Sequence, residues 1–155
     1  MFVYHFRLRK GALAAGAAIL VLTVALAIFL PGCHREEAAP IVAATEEQRQ
    51  SFLTELGWSV SSVPIETLDL QLPQQWDGEW KDYVSLQTEQ GLPFADYSGQ
   101  QVRRYTYTVG NYPGVENGVQ INLYVCGEQL IGGDVISLGE NEFQSGLLFP
   151  KQENT

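Results

Sequence analysis

The residues of this chain that could do chemistry are mainly carboxylates. The sequence holds 18 Asp and Glu but only two histidines, His5 and His34, both near the N-terminus. Ser-His-Asp and Cys-His nucleophiles need an imidazole base, and zinc sites draw on His and several Cys. Two carboxylates held across a cleft could support glycosidase-like hydrolysis. We nevertheless predict a non-enzymatic chain, with no catalytic, cofactor-binding or metal-binding residues.

Two glycines precede an aspartate in a strand-like segment, Gly132-Gly133-Asp134. Glycines inside a strand indicate a bulge or a close approach of another segment, which would orient Asp134. The carboxylate could bind a ligand, or it could hydrogen-bond the bulge or pair with Arg103 or Arg104. We favour the structural interpretation. Because Arg103 and Arg104 are neighbours on a strand, they point to opposite faces, and only one can share the side of Asp134.

Aromatic residues form two patterns. Trp76, Trp80 and Tyr83 recur at helical spacing, which favours a place in the core. Tyr105 and Tyr107 share one face of a strand and could belong either to the core or to an exposed patch that marks a binding surface. The candidate binding residues are therefore Asp134, Arg104, Tyr105 and Tyr107.

The N-terminal segment predicts a membrane anchor. Residues 11–30 carry no charge and follow a basic stretch with Arg7, Arg9 and Lys10. A helix of that length spans about 30 Å, the thickness of the hydrocarbon core, and its positive flank belongs on the cytoplasmic side. We predict a cell-membrane protein with a single transmembrane signal anchor and its C-terminal domain outside. Its segments are a cytoplasmic tail (1–10), the anchor (11–30), a tether (31–44), an extracytoplasmic domain (45–150) and a short tail (151–155).

Two other ways of processing this segment remain open. Leu30-Pro31-Gly32-Cys33 resembles a bacterial lipobox, apart from its proline, so Cys33 is a possible lipidation site. Cleavage as a signal peptide is a third outcome, although the apolar run is longer than usual and lacks a small-x-small site. The other cysteine, Cys126, could bridge to Cys33 or lie as a free apolar residue, and we favour the second.

Charge narrows the choice of partners. From residue 33 onward, six Lys and Arg stand against 18 Asp and Glu, a net charge of −12. Such a domain does not bind nucleic acid, because that binding depends on Lys and Arg displacing counterions from phosphates. Anionic lipid headgroups repel it as well.

The remaining pattern predicts an α+β domain, with two helices packed on one face of an antiparallel sheet of four to five strands. A capping box at Thr45 begins a helix that ends at Gly57, and a second helix covers about 78–90. Within 119–126 one face is apolar and the other polar, so we expect the second face to be mostly solvated. The expected strands are 68–72, 102–109, 119–126, 129–138 and a short edge strand within 141–150.

Several short segments resemble one bacterial family, domain of unknown function 4830, from about residue 47 to 149. They are Phe52-Leu53, Gly57-Trp58, Tyr83, Leu86-Gln87, Gly91, Tyr97, Gly99, Arg104-Tyr105-Thr106-Tyr107, Asn111-Tyr112-Pro113 and Ile131-Gly132-Gly133-Asp134. The chain departs from the family pattern at Val84, where Asn is usual, and at Ser145, where His is frequent. The resemblance implies an N-terminal membrane segment and no assigned activity.

We therefore expect a membrane-tethered extracytoplasmic module without catalytic activity, which binds an envelope component or another exported protein. One alternative is a carboxylate-dependent hydrolase that acts on cell-wall polymers. Another is a sensor or accessory subunit of a membrane complex.

Overall fold

The computed structural model describes residues 39–138 and 142–151, and the folded unit begins at Pro40. The predicted cytoplasmic tail, the anchor at 11–30, Cys33 and most of the tether lie outside the described residues. Within the described part of the chain, no helix is both long and apolar enough to cross a membrane.

Helix α1 covers Glu46–Glu55 and begins at the predicted capping box. The Thr45 hydroxyl accepts from the Gln48 amide at 3.3 Å, and the Gln48 side chain accepts from the Thr45 amide at 2.9 Å. These bonds satisfy two of the backbone donors that a helix start leaves without partners. The prediction is confirmed.

Five antiparallel strands form one sheet in chain order: β1 (Glu66–Gln71), β2 (Gln101–Thr108), β3 (Val119–Cys126), β4 (Gln129–Ser137) and β5 (Phe143–Ser145). Helix α2 (Glu79–Glu89) and a 3-10 turn (Phe94–Tyr97) connect β1 to β2. Gly127 has φ +59° in the two-residue turn between β3 and β4, as a type II′ turn requires. The α+β class and the number of strands are as predicted.

The two helices lie on opposite faces of the sheet, so the prediction of one helical face is wrong. On the first face, the α1 face, Leu53 packs with Ile121 and Leu123 of β3. On the second, the α2 face, Tyr83 contacts Tyr124 of the same strand, with ring centroids 5.7 Å apart. Successive side chains of a strand point to opposite faces, so both faces of β3 are covered. On the face that the sequence predicted to be mostly solvated, Asn122 and Tyr124 are buried, and the Asn122 side chain accepts a hydrogen bond from the Thr106 hydroxyl at 2.7 Å.

The folded part starts before Thr45, where the sequence predicted a tether. Ala43 is completely buried. Its amide donates to the Glu128 carbonyl at 2.8 Å, and the Leu130 amide donates to the Ile41 carbonyl at 2.8 Å. Residues 41–43 therefore run along the beginning of β4. Backbone pairing of this kind leaves no hydrophobic period in the sequence, which is why composition alone suggested a linker.

A bulge and two close contacts explain why glycine occupies positions 132 and 133. The register between β3 and β4 shifts at Tyr124/Val125, which leaves one extra residue in β4, Ile131. A Cβ on Gly132 would lie 2.5 Å from the Phe94 ring, and one on Gly133 would lie 2.8 Å from the Asn122 carbonyl oxygen. The two glycines therefore let the Phe94 and Leu147 side chains approach β4 from its two faces, and the predicted bulge and close approach are confirmed.

Candidate functional site

An open concavity of about 470 Å³ lies where β1 ends and β2 begins, beside the β3–β4 turn. Its polar side chains and Tyr105 occupy alternate positions of β1 and β2, which places them on the α1 face. Helix α1 covers the other end of this face and leaves these residues accessible. The concavity is lined by Asp69, Leu70, Gln71, Gln101, Val102, Arg103, Tyr105, Val125 and Gly127.

The strand register sets the arrangement of these side chains. Asp69 lies opposite Arg103, and Gln71 lies opposite Gln101. Directly opposed residues are about 5 Å apart across the strands, and residues two apart along a strand are about 7 Å apart. The two rungs therefore present four planar polar groups in one shallow array.

Charge in the concavity is neutralised internally. The Arg103 guanidinium donates to both oxygens of Asp69, at 2.6 and 3.1 Å. This hydrogen bond, with the positive charge, lowers the pKa of the Asp69 carboxyl below its usual range. Both side chains are exposed, at 51% and 72%, so the pair adds little to stability. Because the two charges cancel, the array of polar side chains carries no net charge.

The other polar groups keep hydrogen-bonding capacity. The Gln71 amide donates to the Gly99 carbonyl over a long 3.3 Å, and the Gln101 side chain is exposed. Tyr105 forms the wall toward α1, and the Arg49 guanidinium carbon lies 3.7 Å from its ring centroid. The ring is thus held in place by a buried cation.

Tyr105 and Tyr107 share the α1 face as predicted, but only Tyr105 lines the concavity. Tyr107 is completely buried, and its hydroxyl accepts from Arg49 Nε at 2.9 Å and donates to Glu46 at 3.1 Å. Burial raises its pKa to about 12. Tyr107 therefore belongs to the core, beyond the reach of a ligand.

Asp134 lies on the α2 face and is only 2% exposed. Its carboxylate accepts from the Gln144 amide at 2.6 Å and from the Tyr83 hydroxyl at 3.4 Å. Burial raises the pKa of this carboxyl, while the hydrogen bond from Gln144 opposes the rise. The structure thus places Asp134 in a structural network that joins α2, β4 and β5.

Arg104 lies on the same side as Asp134, but neither Arg103 nor Arg104 forms an ion pair with it, so one of the alternatives left open by the sequence does not hold. Arg104 pairs with Glu66, and Arg103 pairs with Asp69. The register explains this pairing, because β1 lies beside β2 and supplies both acids, whereas β4 is two strands away. The four candidate residues consequently do not form one site.

Sequence reasoning missed Arg49, Gln71 and Gln101. The alternation of Asp69 and Gln71 beside that of Gln101 and Arg103 was visible and could have indicated a polar strand face. No comparable signal existed for Arg49, because a single arginine in a polar helix ordinarily faces solvent.

The described residues contain no cluster of three or more His, Cys, Asp or Glu side chains that could hold a metal ion. Cys126 is partly exposed and forms no disulfide with another described residue. Cys33, its partner in the bridge that the sequence analysis did not favour, lies outside the described residues.

The fold and the site define a small α+β domain with an open polar sheet face. The chain belongs to the family described as Domain of unknown function (DUF4830), whose model matches residues 52–135, more than half of the chain. No curated protein and no solved structure matches it. The family resemblance noted in the sequence is thereby confirmed across the second helix and four of the strands.

Proposed function

We propose that this chain is a membrane-tethered, extracytoplasmic module that binds an envelope component or another exported protein without catalysing a reaction. The observation that carries the proposal is the open concavity around the Asp69–Arg103 pair. It is the part of the α1 face where polar side chains converge without being enclosed. A few convergent polar groups in a concave surface are typical of a binding site.

The anchor supports the proposed location. The uncharged run at 11–30 follows three basic residues, and all 18 acidic residues come after it. Positive charge stays on the cytoplasmic side of a membrane segment, which would leave the folded domain outside. Retention of the anchor and lipidation at Cys33 both tether the domain to the same surface.

The chemistry of the described residues supports binding rather than catalysis. A general acid needs a raised pKa and access to a substrate. Asp134 has the raised pKa but is buried beneath Tyr83 and Gln144. Asp69, in the concavity, has its pKa lowered by Arg103 and remains ionised at neutral pH. Neither carboxylate therefore combines the two properties.

Photo-crosslinking in intact cells tests the proposal. A photo-reactive amino acid replaces Gln101 in the full chain, and the control carries it in place of Glu89, an exposed residue of α2 outside the concavity. We expect a crosslinked adduct at position 101 that is absent at position 89. Protease added to the intact cells should digest the domain. Equal or absent crosslinking at both positions, or a protected domain, would contradict the proposed role.

A further inference from the structure

We infer that the open concavity binds an uncharged, hydroxyl-rich chain, that is, a neutral glycan strand. This inference rests on the proposed function and adds the class of ligand. Three properties of the lining residues carry it: their net charge, their mixture of donors and acceptors, and their position on a sheet face beside a free edge.

The internal ion pair disfavours ionic ligands. Among the described residues that line the concavity, Arg103 is the only cation, and two different nitrogens of its guanidinium donate to Asp69. An anionic ligand would compete with Asp69 for the positive charge of Arg103, and a cationic ligand would compete with Arg103 for the negative charge of Asp69. A ligand without charge instead bonds to the lone pairs and N–H groups that the pair leaves free.

Hydrogen-bonding capacity selects hydroxyl groups. Each glutamine amide has an oxygen that accepts and a nitrogen that donates. Gln71 and Gln101 lie directly opposite each other, one rung away from the carboxylate and guanidinium of Asp69 and Arg103. A ligand must therefore both donate and accept at closely spaced points, which is what neighbouring sugar hydroxyls do.

Tyr105 supplies the apolar part of the surface. Its ring lines the concavity and is held in place by the Arg49 guanidinium, 3.7 Å from the ring centroid. Such a ring gives the C–H groups of a sugar a wall to pack against at little cost in side-chain entropy. Val125 extends the apolar floor beside it.

Position favours a glycan over an extended peptide. A peptide that binds a sheet by strand addition pairs with backbone groups along an edge. The groups that converge here are side chains standing on the face of β1 and β2. Because β1 is the edge strand, the concavity is open at one side, and a polymer can pass through it without needing a free end.

Titration of the full chain tests the inference, with the protein held in a detergent that has no sugar headgroup. The probes are chitohexaose, cellohexaose and an uncharged Gly-Ser hexapeptide with blocked ends. Binding is followed by calorimetry and by NMR shifts of the Gln101 side-chain amide. We expect at least one sugar to bind and the peptide not to bind.

Two matched variants locate the site. Gln101→Ala should weaken sugar binding by about tenfold, which corresponds to the loss of about 1.4 kcal/mol. Its neighbour Gln100 is exposed but outside the lining, so Gln100→Ala should bind like the unmodified chain. Circular dichroism confirms that both variants are folded.

The outcomes separate this inference from the proposed function. If neither sugar binds, or if the peptide binds and the sugars do not, the ligand class is wrong, while a crosslink at position 101 would still support the binding role. Equal weakening by Gln100→Ala and Gln101→Ala would move the sugar site away from the concavity and overturn the inference. Absence of both sugar binding and crosslinking would overturn the two together.

Discussion

The Arg49 guanidinium carbon lies 3.7 Å above the centroid of the Tyr105 ring. The same group donates to the Tyr107 hydroxyl, to the Ala43 and Ala44 carbonyls and to Glu46, all within 3.0 Å. One buried cation therefore joins α1 to β2 and to the segment that precedes the helix. It also fixes the wall of the concavity.

Arg49→Met should destabilise the domain by about 3 kcal/mol, because it leaves buried acceptors without their donor. The comparison is Arg103→Met, which removes an exposed ion pair that solvent screens and should cost much less stability. Urea unfolding followed by circular dichroism measures both changes. Similar losses in the two variants would show that the Arg49 network adds nothing beyond a surface pair.

Because the pKa of Asp134 is raised in the folded domain, the free energy of unfolding should fall as the pH rises. Its carboxyl titrates at 3.8 when unperturbed and at a higher pH in the folded domain. Between these values the native state binds more protons than the unfolded state, so raising the pH through this window costs stability. Asp134→Asn keeps an acceptor of similar shape and should remove this loss. The measurement is the free energy of unfolding from pH 3 upward.

Asp69 serves as a control, because its lowered pKa makes stability depend on pH in the opposite direction. Its folded pKa lies below 3.8, so its small contribution is present above that pH and is lost as the pH falls through the folded value. Asp69→Asn should therefore flatten the acid side of the profile only. Finding that Asp134→Asn leaves the slope above pH 4 unchanged would refute the assignment of a raised pKa to Asp134.

Gly133→Ala should destabilise the domain by about 2 kcal/mol through overpacking. Its Cβ would lie 2.7 Å from the Leu147 side chain and 2.8 Å from the Asn122 carbonyl, which cannot rotate away. Gly110→Ala is the matched control, since its nearest neighbour would be the Ser59 carbonyl at 3.7 Å, and we expect a change within about 0.5 kcal/mol. A stable Gly133→Ala variant would mean that β4 is less tightly packed than described.

Thr45→Ala should cost about 1 kcal/mol by removing the cap of α1. The hydroxyl of Thr88, on the exposed side of α2, donates to the Val84 carbonyl one turn earlier. Thr88→Ala should therefore be neutral or slightly stabilising, because alanine is the better helix former. Thermal unfolding of both variants distinguishes a capping effect from a general loss of hydroxyl groups.

Much of the fold could be predicted from short sequence patterns. The capping box placed α1 at Thr45, and the alternation around Val119 and the Gly127 turn placed β3 and β4. These features depend on residues close in sequence, where spacing and chemistry determine the structure. The two glycines before Asp134 likewise predicted a close approach on β4.

The side of the sheet taken by each helix could not be predicted in the same way. Tyr124 and Asn122 look compatible with solvent, and their burial depends on α2, β4 and β5 arriving from distant parts of the chain. The partner of Asp134, Gln144, follows from the pairing of β4 with β5. The concavity depends on the register of β1 against β2, which no single strand determines.

The pairing of residues 41–43 with the start of β4 has a mechanical consequence. Any pull on the chain before Pro40 acts first on the two hydrogen bonds to Glu128 and Leu130 and on the Arg49 contacts to Ala43 and Ala44. The force is thus transmitted first to β4, which lies inside the sheet, and α1 would unwind only after the contacts of residues 41–44 have broken.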